Sequence, residues 1–184
     1  MSTTLLVILA IAALLVLWGI SVQRSLVQAD ELCNNALKQI NVQQVSRYDA
    51  IKAIVKLTRE YASYESETLE KVIAQRKITA AANPSVEDIN ANEAALQAMS
   101  ARLIAIAEQY PDLKANQNYQ QAMADIKQYE ENVRLSRMTF NDTVTKYNNQ
   151  VRMFPSSVVA SILHFPKRDY LADEPAKKDY PDIF

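Results

Sequence analysis

Hydrophobic positions form one unbroken block at the start of the chain and spaced stripes after it. No charged side chain occurs from Met1 to Gln23, and Leu5–Ile20 is apolar throughout. As a helix, Thr3–Val22 spans about 30 Å, the hydrocarbon thickness of a bilayer. Trp18 lies near the end of the block, where an amphipathic ring suits the membrane interface. The pattern predicts a transmembrane anchor over residues 1–23.

Cleavage of this segment as a signal peptide is the alternative to its retention. The first four residues carry no Lys or Arg, the apolar run is longer than a usual signal-peptide core, and no A-x-A-like cleavage site follows. We therefore expect a retained single-pass anchor. Basic residues begin only after the block, at Arg24, so the positive-inside rule predicts a short N-terminus outside and the remaining chain in the cytoplasm.

Beyond the anchor, apolar residues recur every three or four positions, the spacing of one helix face. This stripe runs from Leu26 to Ile40, and residues 20–83 contain neither Gly nor Pro. We therefore expect a continuous rod from Thr3 to about Gln44, roughly 60 Å long at 1.5 Å per residue. Such a rod would hold the soluble part at a fixed height and angle above the bilayer.

Several breaks are predicted farther along the chain. Gln43–Asp49 is polar and out of phase with the stripe, which predicts a turn at about 46–49 with Asp49 capping the next helix. Proline or capping residues mark the later boundaries, at Asn83-Pro84 with a Ser85/Asp88 capping box, at Tyr110-Pro111, at Asn116 as an N-cap, and at Phe154-Pro155.

The helix after Asn116 is the longest of the predicted bundle. Residues 116–152 would form a rod of about 55 Å. Its predicted core stripe consists of Tyr119, Met123, Ile126, Tyr129, Val133, Phe140, Val144, Tyr147, Val151 and Phe154.

Short connections between long amphipathic helices indicate antiparallel neighbours. The predicted fold is therefore all-α: a transmembrane helix continues into an antiparallel up-and-down helical bundle of long helices. The bundle is assigned to residues 24–164 and an extended, Pro-rich tail to residues 165–184. Because the stripes are narrow and the helices differ in length, apolar ends would overhang, which favours coiled-coil-like pairing with another copy.

The amino-acid composition excludes several common classes of ligand-binding and metal site. The 184 residues include one Gly, one Cys and one His, and the net charge is −1. A single Gly cannot supply a G-x-G-x-x-G motif or a P-loop, and it disfavours sheet folds. One Cys and one His exclude a disulfide framework and a Cys/His zinc site within a chain. The balanced charge gives no field that would draw the chain to nucleic acid.

The sequence resembles the LemA family over about residues 22–165. The matching residues are Ile40–Asp49, Tyr61-Ala62, Tyr64-Glu65, Leu69–Val72, Ala107–Asn116, Tyr119, Glu130, Arg134, Arg137, Phe140-Asn141, Tyr147-Asn148 and Phe154-Pro155. The resemblance implies a bacterial inner-membrane protein with an N-terminal membrane helix, a helical bundle and no established enzymatic activity. The family includes a member involved in magnetosome membrane formation, and other members are linked to membrane proteases or envelope processes.

Three departures from the family pattern stand out. Lys52-Ala53 replaces a Pro-Asn pair that would fix the start of a second helix, a Trp near Leu37 is absent, and His164 stands where the family has a small Gly before Phe165.

Several individual side chains are candidates for catalytic or ligand-binding roles, and each has a simpler structural interpretation. His164 is interpreted as packed or solvent-exposed, and Cys33 as a small buried hydrophobe. The tyrosines on or near the stripes, Tyr110, Tyr119, Tyr129 and Tyr147, are interpreted as core residues with partnered hydroxyls. The carboxylates Glu65, Glu67 and Glu70 form no Glu-x-x-His motif, so no di-iron site is expected. The arginines Arg47, Arg134 and Arg137 are expected to pair with Glu on neighbouring helices.

We therefore predict no enzyme and no catalytic, cofactor-binding or metal residue. The favoured function is a self-associating, membrane-anchored scaffold or interaction protein that organises or shapes membrane. Its partners would be the bilayer, further copies of the chain and a protein at the membrane, with no nucleic acid and no small-molecule substrate. The alternative is a monomeric adaptor or regulator of an envelope protease or stress system, docked through the tail.

Overall fold

The computed structural model describes residues 3–75, 78 and 81–172, and every regular element in that part of the chain is an α-helix. The helices are α1 (Thr3–Thr58), α2 (Ser63–Gln75), α3 (Val86–Gln109), α4 (Pro111–Ala115), α5 (Gln117–Arg152) and α6 (Ser156–Ile162). The all-α class is confirmed. The last residues of the predicted tail, 173–184, lie outside the described residues.

Helix α1 is one rod of 56 residues, about 84 Å long. Continuity through Gln44 is confirmed, but the turn predicted at 46–49 is wrong. Gln44 and Arg47 are fully buried and continue the stripe from Ile40 to Ile51. The polar segment is therefore in phase with the helix, and its polar side chains belong to the interior.

Asp49, predicted to cap a second helix, lies inside α1 and pairs with Lys52, whose Nζ is 2.6 Å from Oδ1. The chain leaves α1 only after Thr58, and α2 begins at Ser63. Other predicted caps are confirmed. Ser85 and Asp88 form a reciprocal capping box at the start of α3, and the Asn116 side chain accepts two backbone N–H bonds at the start of α5.

Helices α1 and α5 run antiparallel over most of their shared length. Near one end Ser25 Oγ donates to Gln150 Oε1 at 3.4 Å, and farther along the pair Arg47 Nη2 lies 3.5 Å from Glu130 Oε2. Helix α3 packs on the same pair and brings Glu93 against Arg47. The described part of the bundle is thus built around the α1–α5 pair.

Buried apolar side chains form two clusters along this pair. The anchor-side core lies nearer the apolar N-terminal segment and consists of Ala29, Cys33, Leu37, Ile40, Ile89, Val133, Phe140, Val144, Tyr147 and Leu171. The distal core consists of Tyr48, Ile51, Ile54, Val55, Leu69, Ile73, Ile78, Leu96, Met99, Leu103, Ala107, Leu113, Tyr119 and Ile126.

Most of the predicted α5 stripe faces these cores, and Phe140 is only 1% exposed. Met123, Tyr129 and Val151 are half-buried. Phe154 is 83% exposed, so its assignment to the stripe is wrong. Helix α5 has ended at Arg152, and the chain turns at Pro155, which takes the Phe154 ring off the packed face.

Candidate interaction site: an extended strap between the two longest helices

Residues 165–172, called the strap, have no helical structure and lie between α1 and α5. Two asparagines of α5 hold the strap backbone. The Asn148 amide accepts from the Arg168 N–H at 3.0 Å and donates to the Arg168 carbonyl at 2.9 Å. Asn141 accepts from the Leu171 N–H at 3.0 Å and donates to the Leu171 carbonyl at 3.3 Å. Each asparagine thus satisfies both polar groups of one strap residue.

The spacing of these two pairs of hydrogen bonds follows from chain geometry. Asn141 and Asn148 are two turns apart on α5, which corresponds to about 10 Å along the helix axis. Arg168 and Leu171 are three residues apart, which corresponds to about 10 Å of extended chain. The strap therefore runs antiparallel to α5, and the spacing of the two asparagines matches the spacing of the two strap residues that they bind.

Further contacts hold both ends of the strap. The Tyr147 hydroxyl donates to the Pro166 carbonyl at 2.8 Å, and Arg137 Nη2 donates to the Ala172 carbonyl at 2.6 Å. Leu171 is 2% exposed and completes the anchor-side core. The strap thus closes the groove that two helices alone would leave open.

Arg168 ties the strap to α1. Its Nε lies 2.6 Å from Asp30 Oδ1, and its Nη2 donates to Asn34 Oδ1 at 2.8 Å. The hydrogen bond to the Asp30 carboxylate raises the pKa of Arg168 further above its usual value. Beneath this pair, burial raises the pKa of the Cys33 thiol, and burial, followed by the charge of Asp30, raises the pKa of Tyr147.

A second polar feature, the Arg47 layer, separates the two cores. The fully buried Arg47 donates from Nη1 to Glu93 Oε1 at 2.8 Å and from Nη2 to Ser100 Oγ at 3.3 Å. Gln44 Nε2 donates to Glu93 Oε2 at 3.1 Å and to the Ile89 carbonyl at 2.9 Å. The layer thus ties α1 to α3 through a desolvated ion pair, and Glu130 approaches it from α5.

The three arginines singled out in the sequence have different roles. Arg47 pairs with a Glu of a neighbouring helix, as expected. Arg134 pairs with Glu131 of its own helix, with Nε 2.8 Å from Oε2. Arg137 was also expected to pair with a Glu, but it is 7% exposed and its Nη2 donates to the Ala172 carbonyl of the strap.

The structure bears on the predicted packing of the tyrosines and of Cys33. The Tyr110 hydroxyl donates to Glu65 Oε1 at 2.8 Å, and the Tyr119 hydroxyl donates to the Leu103 carbonyl at 3.0 Å. Cys33 is buried. Within the described residues, no group of three or more His, Cys, Asp or Glu side chains could hold a metal ion.

His164 has a conformational role. Its φ is 57°, in the left-handed region. Its N–H bonds to the Ser161 carbonyl, and the Phe165 N–H bonds to the Ala160 carbonyl. This pair of bonds is the Schellman motif that ends a helix, in which Gly usually occupies the left-handed position. His164 therefore directs the chain from α6 into the strap.

Sequence reasoning missed the residues that hold the strap, above all Asn141 and Asn148. A signal was present, because an aromatic-Asn pair occurs at Phe140-Asn141 and again seven residues later. Asn is unfavourable inside a helix unless its side chain has a partner. Its repetition at two-turn spacing beside buried aromatics indicates a helix face that binds another backbone.

The sequence of this chain matches a known family over most of its length and two bacterial proteins over a shorter stretch. Residues 36–184 match the LemA family. A 75-residue stretch is 28% identical to magnetosome protein MamQ 2 of Paramagnetospirillum magneticum and 31% identical to magnetosome protein MamQ of Magnetospirillum gryphiswaldense. In both cases the stretch covers 41% of this chain and 28% of the relative, so the match spans little more than a quarter of those proteins.

Proposed function

The chain belongs to the LemA family, and on that basis we propose that it is a non-catalytic scaffold that self-associates at the bacterial inner membrane through a single N-terminal anchor. The apolar part of α1 is long enough to cross a bilayer, and the relatives named as magnetosome proteins agree with a membrane-associated role. Organising or shaping membrane is the role that we propose for this scaffold.

The observation that carries the proposal is the continuity of α1. The apolar segment and both bundle cores share one helix of 56 residues without a joint. A rigid connection transmits orientation from the bilayer to the bundle, which suits lateral assembly of copies with a common height and angle.

Exposed apolar side chains support self-association. Beyond the apolar segment, α1 exposes Val27, Leu32 and Val42, and α5 exposes Leu135 and Met138. These five side chains are 46–55% exposed. Exposed apolar side chains on both helices are available for contact with another copy.

The experiment inserts Gly-Ser-Gly after Gln23, ahead of the first buried residue, Leu26. We expect the bundle to stay folded and ordered assembly in lipid nanodiscs to be lost, as measured by mass photometry and electron microscopy. The matched control is the same insertion after the exposed residue Ala82, between α2 and α3, which should leave assembly intact. Assembly that survives both insertions would show that α1 is only a tether, and a wild-type chain that stays monomeric would refute self-association.

We further propose that the bundle faces the cytoplasm. Arg24 is the first basic residue after the apolar segment, and residues 1–23 contain no Lys or Arg. Basic groups on one side of a span favour the cytoplasmic side. A reporter enzyme fused after Phe184 should therefore be inaccessible to reagents outside intact cells. Labelling of the reporter from outside would show that the bundle faces the opposite side of the membrane.

A further inference from the structure

The junction between α5 and α6 exposes a group of large apolar side chains, called here the apolar tip. Its members are Met153, Phe154, Val158, Ile162 and Leu163, which are 42–83% exposed. Residues 153–166 include no Asp, Glu, Lys or Arg, whereas the exposed Arg152 and Lys167 flank them. An apolar stretch between two basic residues differs from an ordinary water-facing helix junction.

Packing directs the tip outward. Ala160 of α6 is 1% exposed, so this side of α6 faces the bundle. Val158 and Ile162 lie two positions before and after it, about 200° around the helix, and therefore occupy the opposite face. Ser156 Oγ lies 2.7 Å from the Gln150 carbonyl oxygen and 2.9 Å from that of Met153, and its single proton is shared between them, which holds the junction against the end of α5.

The position of the tip along α1 shows what lies beside it. Ser25 is level with Gln150, and α5 then runs toward the apolar segment. If Thr3–Val22 fills the hydrocarbon layer, Ser25 lies three residues, or about 4–5 Å, beyond its edge. Met153 and Phe154 lie a similar distance beyond Gln150, in the direction of the apolar segment. Met153 and Phe154 of the tip therefore reach the level at which the apolar segment leaves the bilayer.

We propose that the apolar tip inserts into the bilayer interface beside the anchor, with Arg24, Arg152 and Lys167 at the level of lipid phosphates. The ligand is the lipid surface, which offers acyl chains to the apolar side chains and anionic headgroups to the flanking basic residues. A second membrane contact fixes rotation of the bundle about α1, which a single helix leaves free. The proposal rests on the membrane anchoring stated above and adds a second attachment point.

The test uses Trp fluorescence of the full chain in nanodiscs that contain phosphatidylglycerol. Trp18 is the sole Trp, so it serves in the wild type as the probe of the anchor itself. In a Trp18→Phe background, Phe154→Trp and Ile162→Trp are separate probes of the tip. Tyr64→Trp is the matched control, because Tyr64 is 78% exposed at the far end of the bundle. Lipids brominated near the carbonyl end of the acyl chain quench nearby Trp.

We expect both tip probes to emit at shorter wavelength than the Tyr64→Trp control and to lose most of their emission in brominated nanodiscs, while the control loses none. Unquenched tip probes together with a quenched wild-type Trp18 would overturn the tip proposal and leave the anchor standing. A short-wavelength but unquenched tip emission would mean that protein covers the tip, which also overturns it. An unquenched wild-type Trp18 would refute the anchor, and with it both proposals.

Discussion

In the distal half of the bundle, side chains from α1, α2, α3, α4 and α5 surround the core, whereas in the anchor-side half α1 and α5 meet the start of α3, the short helix α6 and the strap. Two antiparallel helices leave an open groove on each side of their contact. The distal half fills its grooves with further helices. The anchor-side half fills one of them with extended chain.

This difference has a consequence for hydrogen bonding. A helix satisfies its own backbone N–H and C=O groups, but an extended segment packed on a bundle needs partners for them. Asn141, Asn148, Tyr147 and Arg137 supply those partners from α5. The anchor-side half is therefore rich in polar side chains directed at backbone, and the distal half is mainly apolar.

The largest effect should come from the ion pair between the two halves. Glu93→Ala leaves the Arg47 guanidinium buried without its closest partner, which we expect to lower the free energy of unfolding by about 3–5 kcal/mol. The double variant Arg47→Met/Glu93→Leu should recover most of the loss, because neither charge then remains buried. Urea unfolding followed by circular dichroism measures both.

The control for this experiment is Glu108→Ala, on the exposed side of α3, which should change the free energy of unfolding by less than about 0.5 kcal/mol. A Glu93→Ala variant as stable as this control would show that the half-exposed Glu130 alone satisfies Arg47.

Core truncations compare the two halves directly. Phe140→Ala in the anchor-side core should cost about 3–5 kcal/mol, and Leu96→Ala in the distal core about 2–5 kcal/mol, because both side chains are at most 1% exposed. If the Arg47 layer couples the halves, each variant lowers a single melting transition. Two separated transitions in either variant would show that the halves unfold independently. An unchanged melting temperature for Phe140→Ala would contradict its burial.

A smaller effect is expected from loosening the strap. Asn148→Ala removes both bonds to the Arg168 backbone and should cost about 1–3 kcal/mol. The neighbouring Asn149→Ala is the matched control, because Asn149 is exposed. In the Asn148 variant, hydrogen exchange of the Arg168 amide should accelerate.

Alkylation of Cys33 gives a second measurement of strap loosening. The raised pKa of this buried thiol keeps it protonated and slow to react. Because the folded pKa exceeds the unfolded one, this thiol stabilises the fold below the unfolded pKa and loses that contribution as pH rises through the folded pKa. Labelling at fixed pH should be faster in Asn148→Ala than in Asn149→Ala, and equal rates would show that the strap does not cover Cys33.

The smallest expected effect is an increase in the free energy of unfolding. His164→Gly removes the left-handed strain at φ 57° and should raise the free energy of unfolding by up to about 1 kcal/mol, since part of the relief is offset by the greater freedom of Gly in the unfolded chain. His164→Ala is the control and should give no gain. A destabilised His164→Gly variant would show that the imidazole makes a stabilising contact.

The sequence by itself determined the helical class, the apolar segment and the helix starts at Ser85 and Asn116, because these depend on local pattern and on capping by nearby side chains. It also placed Phe140 in the interior, since apolar side chains at helical spacing are buried whatever their partner. These features depend on the residues within a few turns.

Only the tertiary structure decided the continuity of α1 through residues 46–49 and the position of the strap. Periodicity assigns polar residues to water, yet Arg47 and Gln44 are buried because Glu93 approaches from α3 and provides their partner. Asn141 and Asn148 likewise have a role only when the chain returns along α5. A buried polar side chain is stable only with its partner, and that partner is 46 residues away for Arg47 and 20 residues away for Asn148.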